Sequence, residues 1–460
     1  MTRSFSKLPA SNVLTTMAKP EPSVPFGRAM RDAHFNFAKS YTPLNHGSFG
    51  TFPTSVRDHQ RKLQDAMEAR PDTFLRYTYP DLLLKSRAAV APLLGVSIDE
   101  VVFVPNATTG VNTILRNLVY QEGDVIVHFS AIFGGCKKTL QSLCENGPVE
   151  RVGIDIEFPA EDEDIISKFN STVQSLRNDG KTVKLAIFDT VVSSPGIRFP
   201  WEALVESCKS LQILSLIDGA HGVGHIDLTC LGQVGPDFFT SNCHKWLFVP
   251  RGCAVLYVPA RNHHLIRTTL PTSIGYQPLS KGESGPGGSK AFGDLFKRVA
   301  TIDPTSYVCI EEALKFRELV CGGEAAVREY CEKIAQAGGK RTAEIRRKFW
   351  VRRLWKIRLG RSIGAAWLIL KQGGMGLQEN GNRISYVRGT DAAAIAKWIT
   401  DRSVKDYETM IPVIFDGRKF WCRMSGQIYL EFRDFEWAAY RLKEVCERVS
   451  KGEFKAATPV

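Results

Sequence analysis

The sequence has no long apolar run. Its 460 residues are 43% apolar and 23% charged, which are ordinary proportions for a globular protein and exclude a wholly disordered chain. The best apolar stretch, Ile363 to Leu370, is far shorter than the about 20 residues that a membrane-spanning helix requires. We therefore predict a soluble globular protein that is long enough to bury a substantial core.

The sequence also lacks paired cysteines and internal repeats. None of its 11 cysteines belongs to a C-x-x-C pair, so neither a zinc ribbon nor a thioredoxin-like site is indicated, and we predict no metal. An odd number of scattered cysteines is typical of free thiols in a reducing compartment. No self-similarity with a period of 20–50 residues is present, which excludes a repeat architecture.

The first 20 residues lack acidic side chains. Arg3, Lys7 and Lys19 make this stretch faintly similar to a transit peptide, but its apolar residues are too sparse for an amphipathic helix. We predict that residues 1–30 form a disordered tail and that the protein is cytoplasmic.

Outside one segment, the chain has almost no excess of charge. The stretch from Lys340 to Thr390 holds 13 Lys/Arg and two acids, so it accounts for +11 of the net charge of +12. One interpretation is a nucleic-acid-binding segment with Trp350, Trp355 and Trp367 as stacking residues. The other interpretations are an exposed insertion or a mistranslated stretch of the gene, such as a retained intron. We favour these two and treat 346–388 as an atypical basic segment.

Short apolar stretches alternate with segments of helical spacing from residue 101 to about 257. This alternation predicts helical crossovers and a mostly parallel sheet, and hence an α/β fold. A helical amphipathic pattern precedes it at 55–95, and further helices are predicted at 108–118 and 136–144. The predicted strands lie at 101–104, 124–127, 185–188, 214–217, 238–240 and 254–257.

The pattern changes to a helix-rich one after about residue 300. We predict a large α/β domain over 31–310 and a smaller α+β domain over 311–460, with the N-terminal segment contributing to the smaller domain. Ligands of open α/β sheets bind at the carboxyl ends of the strands, so the residues that follow each strand are the candidates for a site.

Three strand ends carry polar residues of interest. Thr108 and Thr109 open a helix after the first strand, where free N–H groups favour an anion. Asp218 ends a later strand beside glycines and His221, where an acid suits a cationic ring nitrogen or a metal. Lys245 follows another strand among apolar residues, which favours an amine of lowered pKa. Taken singly, each feature has an equally good structural explanation: an ordinary capped helix, an acid at the end of a strand, and a surface lysine beside a packed tryptophan.

Together the three features match the needs of pyridoxal phosphate. The aldehyde of this cofactor requires a lysine, its pyridine nitrogen requires an acid, and its phosphate requires a helix N-terminus. We therefore predict a pyridoxal-phosphate enzyme that acts on an amino acid.

The sequence resembles the class-V aminotransferase branch of the fold-type I pyridoxal-phosphate enzymes, which includes cysteine desulfurases and isopenicillin N epimerase-like proteins. Within that branch it is most similar to the fungal hercynylcysteine sulfoxide lyases of ergothioneine biosynthesis. The resemblance covers about 30–340 and 390–455 and is carried by the stretches 44–50, 74–80, 105–112, 218–222, 241–255, 270–273 and 423–431.

The resemblance implies a role for each matching residue. Lys245 would bind the aldehyde and then act as the base at the substrate Cα, and Asp218 would pair with the pyridinium nitrogen. His221 would donate to the phenolic oxygen of the ring. The phosphate would be held by Thr108, Thr109, Ser241 and His244, and by Thr301 from a partner subunit, so that a homodimer is implied.

The same resemblance assigns the substrate side. Arg423 would clamp the α-carboxylate, which suits the fork of a guanidinium. Asn45 and His46 would lie near the substrate, although a structural capping role for His46 is an equal alternative. Tyr77, with Tyr79 and Trp421, is a candidate for contacts to the distal half of the substrate.

One position departs from the lyase pattern. Phe133 stands where the lyase-like sequences imply a tyrosine above the cofactor ring, and phenylalanine stacks but donates no proton. Either another donor, such as Tyr77, Tyr79 or His46, substitutes for it, or the reaction differs.

We predict a C–S β-lyase that converts a cysteine-derived sulfoxide to a thiol or sulfenic product, pyruvate and ammonia. The first alternative is an aminotransferase or epimerase of fungal secondary metabolism, which needs no proton for a sulfur leaving group. The second is a non-catalytic nucleic-acid-associated protein, which rests on the basic segment alone; we predict no nucleic-acid or membrane partner.

Overall fold

The computed structural model describes residues 21–278, 289–347, 365–371, 389–416 and 419–456. Strands and helices alternate as the sequence predicts. The strands are β1 Val101–Val104, β2 Asp124–Phe129, β3 Glu150–Ile154, β4 Thr182–Asp189, β5 Leu214–Asp218, β6 Phe238–Asn242, β7 Ala254–Tyr257, β8 Ala365–Lys371, β9 Val413–Phe415 and β10 Lys419–Ser425.

The α-helices of these residues surround the strands. In chain order they are α1 Arg28–His34, α2 His46–Phe49, α3 Thr54–Ala69, α4 Pro71–Thr73, α5 Tyr79–Leu94, α6 Ala107–Asn117, α7 Gly134–Asn146, α8 Asp162–Asn178, α9 Trp201–Ser210, α10 Leu231–Val234, α11 Cys243–Trp246, α12 Ser289–Lys297, α13 Ile310–Leu319, α14 Gly323–Arg347, α15 Gly389–Tyr407, α16 Phe432–Ser450 and α17 Glu453–Ala456. A π-helical turn, Phe74–Thr78, and short 3₁₀ turns complete them.

The first seven strands form one sheet in the order β1-β7-β6-β5-β4-β2-β3. Neighbouring strands from β6 to β3 in this order are parallel, and β7 is antiparallel to both β1 and β6. A sheet of this kind, covered by helices on both faces, confirms the predicted α/β class. Its carboxyl edge collects the ends of β4, β5 and β6.

All six predicted strands are present, but two details differ from the predictions. Strand β3 was not predicted, because it is a mostly exposed edge strand with charged residues and Gly153, and it lacks an apolar run. The helical stretch predicted over 55–95 is interrupted at Arg70, whose backbone is not helical, and a new helix begins at Pro71.

Alternate residues of the central strands pack on opposite faces of the large sheet. Phe188, Ile217 and Phe239 belong to the core on one face, whereas Ile187 and Leu216 belong to the core on the other. Because both faces are buried, these strands are apolar throughout, which is why short apolar runs identified them.

A third core unites the two ends of the chain. Met30, Phe35 and Leu44 pack with buried residues of α14, α15 and α16 and of the second sheet, whose order is β8-β10-β9. The described part of the predicted tail includes the start of α1, and residues 1–20 lie outside the described residues. Most of the basic segment 346–388 also lies outside them, but its residues 365–371 form β8 and pair with β10.

In the described residues, no helix combines the length and the apolar character that crossing a membrane would require.

Arg317 connects α13 and α14 to the segments that follow β5 and β6 of the large sheet. Its guanidinium is buried and forms an ion pair with Glu324 at the start of α14. Nη1 donates to the backbone oxygen of Trp246 over 2.9 Å, and Nη2 donates to that of Gly224 over 3.0 Å. Because Trp246 follows Lys245, this buried cation fixes the backbone beside the predicted catalytic lysine.

We expect Arg317→Ala to lower the free energy of unfolding by about 3–5 kcal/mol, because it leaves the Glu324 carboxylate and two backbone oxygens without their cation. Guanidinium unfolding of the purified protein measures this change. Lys397→Ala removes an exposed pair with Asp401 and serves as the control, with an expected change below about 1 kcal/mol. Equal, small effects of the two substitutions would contradict the role of Arg317.

Candidate active site

The carboxyl edge of the large sheet brings the predicted residues together. Asp218 ends β5, and Lys245 lies in α11 directly after β6. The N-terminus of α6 lies beside β6, since Asn242 at the end of that strand accepts a hydrogen bond from the Ala107 N–H over 2.8 Å. Arg423 reaches the same edge from β10 of the second sheet.

Lys245 is an amine held out of water. Burial lowers its pKa to about 8, the nearby Arg423 contributes to the decrease, and the carboxyl groups of Asp218 and Asp189 oppose it. Its Nζ lies 3.1 Å from Nε2 of His221. A lysine that is partly neutral near physiological pH has the nucleophilic and basic form that the predicted role requires.

The indole of Trp246 sets the tautomer of His221. Its Nε1–H donates to Nδ1 of His221 over 3.2 Å, and an indole N–H can only donate. In the neutral imidazole the proton is therefore on Nε2, which faces the Lys245 amine. Burial lowers the pKa of His221 well below its usual value, so the ring stays neutral. His225 stacks on the Trp246 ring with 3.8 Å between centroids and fixes its position.

Asp218 is a buried carboxyl with two hydrogen-bond donors. It accepts a hydrogen bond from the Ala220 N–H over 3.0 Å and one from the Cys136 thiol over 3.3 Å. Burial raises its pKa, against the effect of these bonds and of Lys245. A cationic ring nitrogen beside it would stabilise its ionised form, so the carboxyl fits the predicted partner of a pyridinium.

The start of α6 forms an anion cradle. Asn106 caps the helix, and its Oδ1 accepts from the Thr109 N–H over 2.8 Å and from the Thr109 hydroxyl over 3.1 Å. The side-chain oxygen of Asn242 accepts the hydrogen bond of the Ala107 N–H. Within the described residues no side chain binds the N–H or the hydroxyl of Thr108, at the positive end of the helix, so both suit a phosphate. This arrangement fits Thr108 better than Thr109, whose hydroxyl serves the cap.

Sequence reasoning missed Asn242, which joins the strand end before Lys245 to this cradle. Ser241, a predicted phosphate ligand, is fully buried, and its Oγ accepts from the Val223 N–H over 2.9 Å. The side chain of Ser241 therefore fastens the loop that follows Asp218. The strand-end position of Asn242 is the feature that would have identified it.

His244 and Thr301, the other predicted phosphate ligands, have different surroundings. Nδ1 of His244 donates to the backbone oxygen of Cys253 over 2.8 Å, and burial lowers the pKa of the ring to about 4, so it is neutral. Thr301 is exposed, after Ala300 with its positive φ of 59°. Its predicted delivery to a partner subunit stays a prediction.

Arg423 is a buried guanidinium without a carboxylate partner among the described residues. Nη1 donates to the Ser193 backbone oxygen over 3.1 Å, and Nη2 donates to Oδ1 of Asn45 over 2.9 Å and to the Ser48 hydroxyl. Nε is buried without a hydrogen-bond partner there. Burial lowers the pKa of Arg423 to about 10. A buried cation with a free donor fits the α-carboxylate of an amino acid.

The stretch 44–50 holds Asn45 against the lysine segment. Gly50 has a φ of 65°, and a Cβ built on it would lie 1.8 Å from the backbone oxygen of His244. Only glycine permits this approach. His46 in the same stretch is buried, its Nδ1 lies 2.7 Å from the Tyr429 hydroxyl, and burial lowers its pKa to about 3. These contacts favour the structural alternative for His46.

The predicted aromatic residues are dispersed. Phe133 precedes α7 and is 45% exposed, and Tyr77 is 72% exposed. Tyr79 is buried in the core of the large sheet, where burial raises its pKa. Trp421 donates to Asp416 over 2.6 Å. Within the described residues, none of these side chains has a hydrogen bond or ring contact with Lys245 or Arg423.

Asp189, at the end of β4, is a second residue that sequence reasoning missed. It pairs in register with Asp218 on the neighbouring strand, and both of its carboxyl oxygens are buried without a hydrogen-bond partner in the described part of the chain. The sequence Asp189 to Ser194 contains no glycine or histidine to mark it. Only the alignment of β4 with β5 reveals it.

A lysine of lowered pKa, a strand-end acid and a helix N-terminus at one edge of a mostly parallel sheet define the class of fold-type I pyridoxal-phosphate enzymes. Comparison with known proteins agrees with this class. The aminotransferase class-V family matches residues 77–275. The complex of the cystine C–S lyase C-DES with its reaction product cysteine persulfide has the same fold, with a TM-score of 0.69 and 17% identity over 88% of this chain and 97% of that chain.

Two relatives extend the similarity to nearly the whole chain. The L-cysteine desulfhydrase-like protein lolT1 of Epichloe uncinata is 35% identical, over 94% of this chain and 98% of the relative. The hercynylcysteine sulfoxide lyase of Schizosaccharomyces pombe is 30% identical, over 92% and 98%. The chain belongs to the class-V aminotransferase family, with pyridoxal phosphate as its cofactor, and the predicted family, enzyme class and cofactor are confirmed.

We expect the rate at which the cofactor-free protein binds pyridoxal phosphate covalently to rise as the pH rises through about 8, because only the neutral amine of Lys245 attacks an aldehyde. Stopped-flow absorption measures the rate. Reduction with borohydride should then fix the pyridoxyl group on the peptide that contains Lys245, and mass spectrometry of that peptide would detect it. Lys209→Ala, an exposed lysine outside the site, is the control; label on another lysine would refute the assignment.

We expect Arg423→Lys to weaken the binding of an amino-acid substrate by about 30-fold or more, because one ammonium cannot replace a bidentate guanidinium. The change in the cofactor spectrum during titration of the holoenzyme measures the dissociation constant. Arg328→Lys alters a surface ion pair with Asp227 and should leave the constant unchanged. An unaltered constant in Arg423→Lys would remove Arg423 from the substrate site.

Proposed function

We propose that this enzyme is a C–S β-lyase that cleaves a cysteine-derived sulfoxide, of the hercynylcysteine sulfoxide type, to a sulfenic product, pyruvate and ammonia. Membership of the family of cysteine desulfhydrases and C–S lyases is the coarser statement that the relatives establish. The observation that carries the finer proposal is the end-to-end similarity to a hercynylcysteine sulfoxide lyase.

The site supports each step that the chain itself would perform. Arg423 binds the substrate carboxylate with the donors that its buried position leaves free. The cofactor, when bound, withdraws electrons from Cα, and Asp218 supports this by stabilising the protonated ring nitrogen. Lys245, with its lowered pKa, removes the Cα proton, and the neutral His221 holds the amine in place. The sulfur substituent then leaves Cβ.

An epimerase or aminotransferase is the second candidate. The observation that favours it is Phe133, which offers no hydroxyl for the protonation of a leaving sulfur. Both reactions require the same lysine, acid and arginine, so these residues do not distinguish them.

We also propose a homodimer in the cytoplasm. Apolar side chains that a partner could cover are exposed close to the stretches that carry the family resemblance: Phe49 is 71%, Tyr77 72% and Ile274 81% exposed. All 11 cysteines are free thiols, as expected in a reducing compartment.

We expect the holoenzyme to release pyruvate and ammonia in equal amounts from an S-substituted cysteine sulfoxide, and faster than from L-cysteine. A coupled lactate dehydrogenase assay measures the pyruvate. Lys245→Ala should abolish release, and Lys209→Ala should not change it. Absence of pyruvate from every sulfoxide, together with formation of a D-amino acid or of a keto acid that retains the sulfur, would decide for the second candidate.

A further inference from the structure

The thiol of Cys136 forms a hydrogen bond with the acid that is assigned to the cofactor ring. Cys136 lies in the first turn of α7, and its Sγ donates to Oδ2 of Asp218 over 3.3 Å. Side chains alternate along β5, so Asp218 faces the same side of the sheet as Leu216, two residues earlier. Leu216 packs in the same core as Cys136. The fold of the large domain therefore sets this contact between residues that are distant in sequence.

The Cys136 thiol keeps its proton. Its side chain is 1% exposed, and burial, together with the charges of Asp218 and Asp189, raises the pKa of the thiol. The S–H bond goes to a carboxyl group of another element, whereas the buried thiol of Cys309 donates to the backbone oxygen of Thr305, one turn earlier in the chain, over 3.2 Å. Cys136 therefore presents a proton, and not a negative charge, to Asp218.

Two donors fix the orientation of the Asp218 carboxyl. Oδ1 accepts from the Ala220 N–H over 3.0 Å, and Oδ2 accepts from the Cys136 thiol. Rotation of the carboxyl would break both bonds. Each oxygen of a carboxylate has two acceptor positions, so both oxygens keep one position for a further donor, such as a protonated ring nitrogen.

These donors matter because Asp218 is buried. A carboxylate that is removed from water binds a proton more tightly, and burial raises the pKa of Asp218. The bonds from Ala220 and Cys136 and the charge of Lys245 oppose this increase. The Ala220 donor is a backbone group, so among the described residues Cys136 is the side chain that donates a hydrogen bond to Asp218. A carboxylate and a pyridine nitrogen compete for one proton, and each donor to the carboxylate favours the nitrogen.

We propose that Cys136 is a positioning residue that keeps the shared proton on the ring nitrogen of the cofactor. Its S–H bond stabilises the ionised form of Asp218 and orients the carboxyl, so that the ring stays protonated and withdraws electrons from the substrate. The proposal rests on the role of Asp218 as partner of the ring nitrogen. It does not depend on which of the two candidate reactions the enzyme catalyses, because both use the same electron withdrawal.

Three substitutions of Cys136 separate the hydrogen bond from packing. Cys136→Ser keeps a donor but loses apolar volume, Cys136→Val keeps apolar volume but has no donor, and Cys136→Ala loses both. Cys208→Ala is the control, because it removes a fully buried thiol near the opposite edge of the sheet. The backbone oxygen of Cys208 accepts from the Ile213 N–H over 2.9 Å, directly before β5 begins.

Nitrogen-15 NMR of the holoenzyme, loaded with pyridoxal phosphate labelled at the ring nitrogen, measures the position of the proton. We expect the resonance of a pyridinium in the wild type, in Cys136→Ser and in Cys208→Ala. In Cys136→Ala and Cys136→Val it should move toward that of a neutral pyridine. The reverse order, with Cys136→Ser shifted and Cys136→Val unchanged, would show a packing role and overturn the proposal, as would one resonance in all variants.

Infrared difference spectroscopy of the holoenzyme tests the bond itself. The spectrum of the wild type minus that of Cys136→Ala isolates the S–H stretch of Cys136, and the same difference with Cys309→Ala gives that of a thiol bonded to a neutral carbonyl. A charged acceptor weakens the S–H bond more, so we expect the lower frequency for Cys136. A frequency equal to or above that of Cys309 would overturn the proposal.

Turnover gives the expected consequence. We expect kcat/KM to fall by about 10-fold in Cys136→Ala and Cys136→Val, since one hydrogen bond to a charged group is lost, and to recover in Cys136→Ser. Asp218→Asn separates the possible failures. If it keeps the pyridinium resonance, the role of Asp218 is refuted and that of Cys136 with it. If only the Cys136 variants keep it, Cys136 alone is refuted. The expected resonances without pyruvate from any sulfoxide would support Cys136 and refute the lyase function.

Discussion

The site depends on the exclusion of water from four ionisable side chains at one edge of a sheet. Burial is the largest cause that shifts the pKa of Lys245 and Arg423 downward and that of Asp189 and Asp218 upward. Each shift moves a group toward its neutral form, because a charge is costly where water cannot solvate it. Nucleophilic, basic and acidic behaviour near neutral pH follows from this single constraint, and the hydrogen bonds of the site select which group keeps its charge.

His221 and Arg317 hold the segment of Lys245 in place without adding an uncompensated charge to the site. His221 receives the indole N–H of Trp246 and presents its own proton to Lys245, so that it orders the amine without adding charge. Arg317 donates to the Trp246 backbone oxygen and is itself paired with Glu324. The positive charge of Arg317 is therefore compensated by the Glu324 carboxylate, so it does not act in full on the amine of Lys245.

Much of this arrangement follows from the sequence, and the parts that do not have physical reasons. Asp218 and Lys245 were predictable because each follows an apolar strand, and strand ends of a parallel sheet converge. Asp189 and Asn242 also end strands, but their importance arises from contacts across strands that no local pattern encodes. Strand β3 was not predicted because it lies exposed at the edge of the sheet and therefore lacks an apolar run. Tyr77 was named from the resemblance, and no local pattern indicates whether its side chain lies at the site; in the structure it is exposed.

The backbone register of the second sheet places Trp367 of β8 directly opposite Arg423 of β10. The strand that pairs with the one bearing Arg423 thus comes from the basic stretch of the chain, while Lys245, Asp218 and the anion cradle all come from residues 106–245. The two stretches are far apart in the sequence. A change confined to β8 would therefore alter the support of Arg423 while the residues that form Lys245, Asp218 and the anion cradle stay the same.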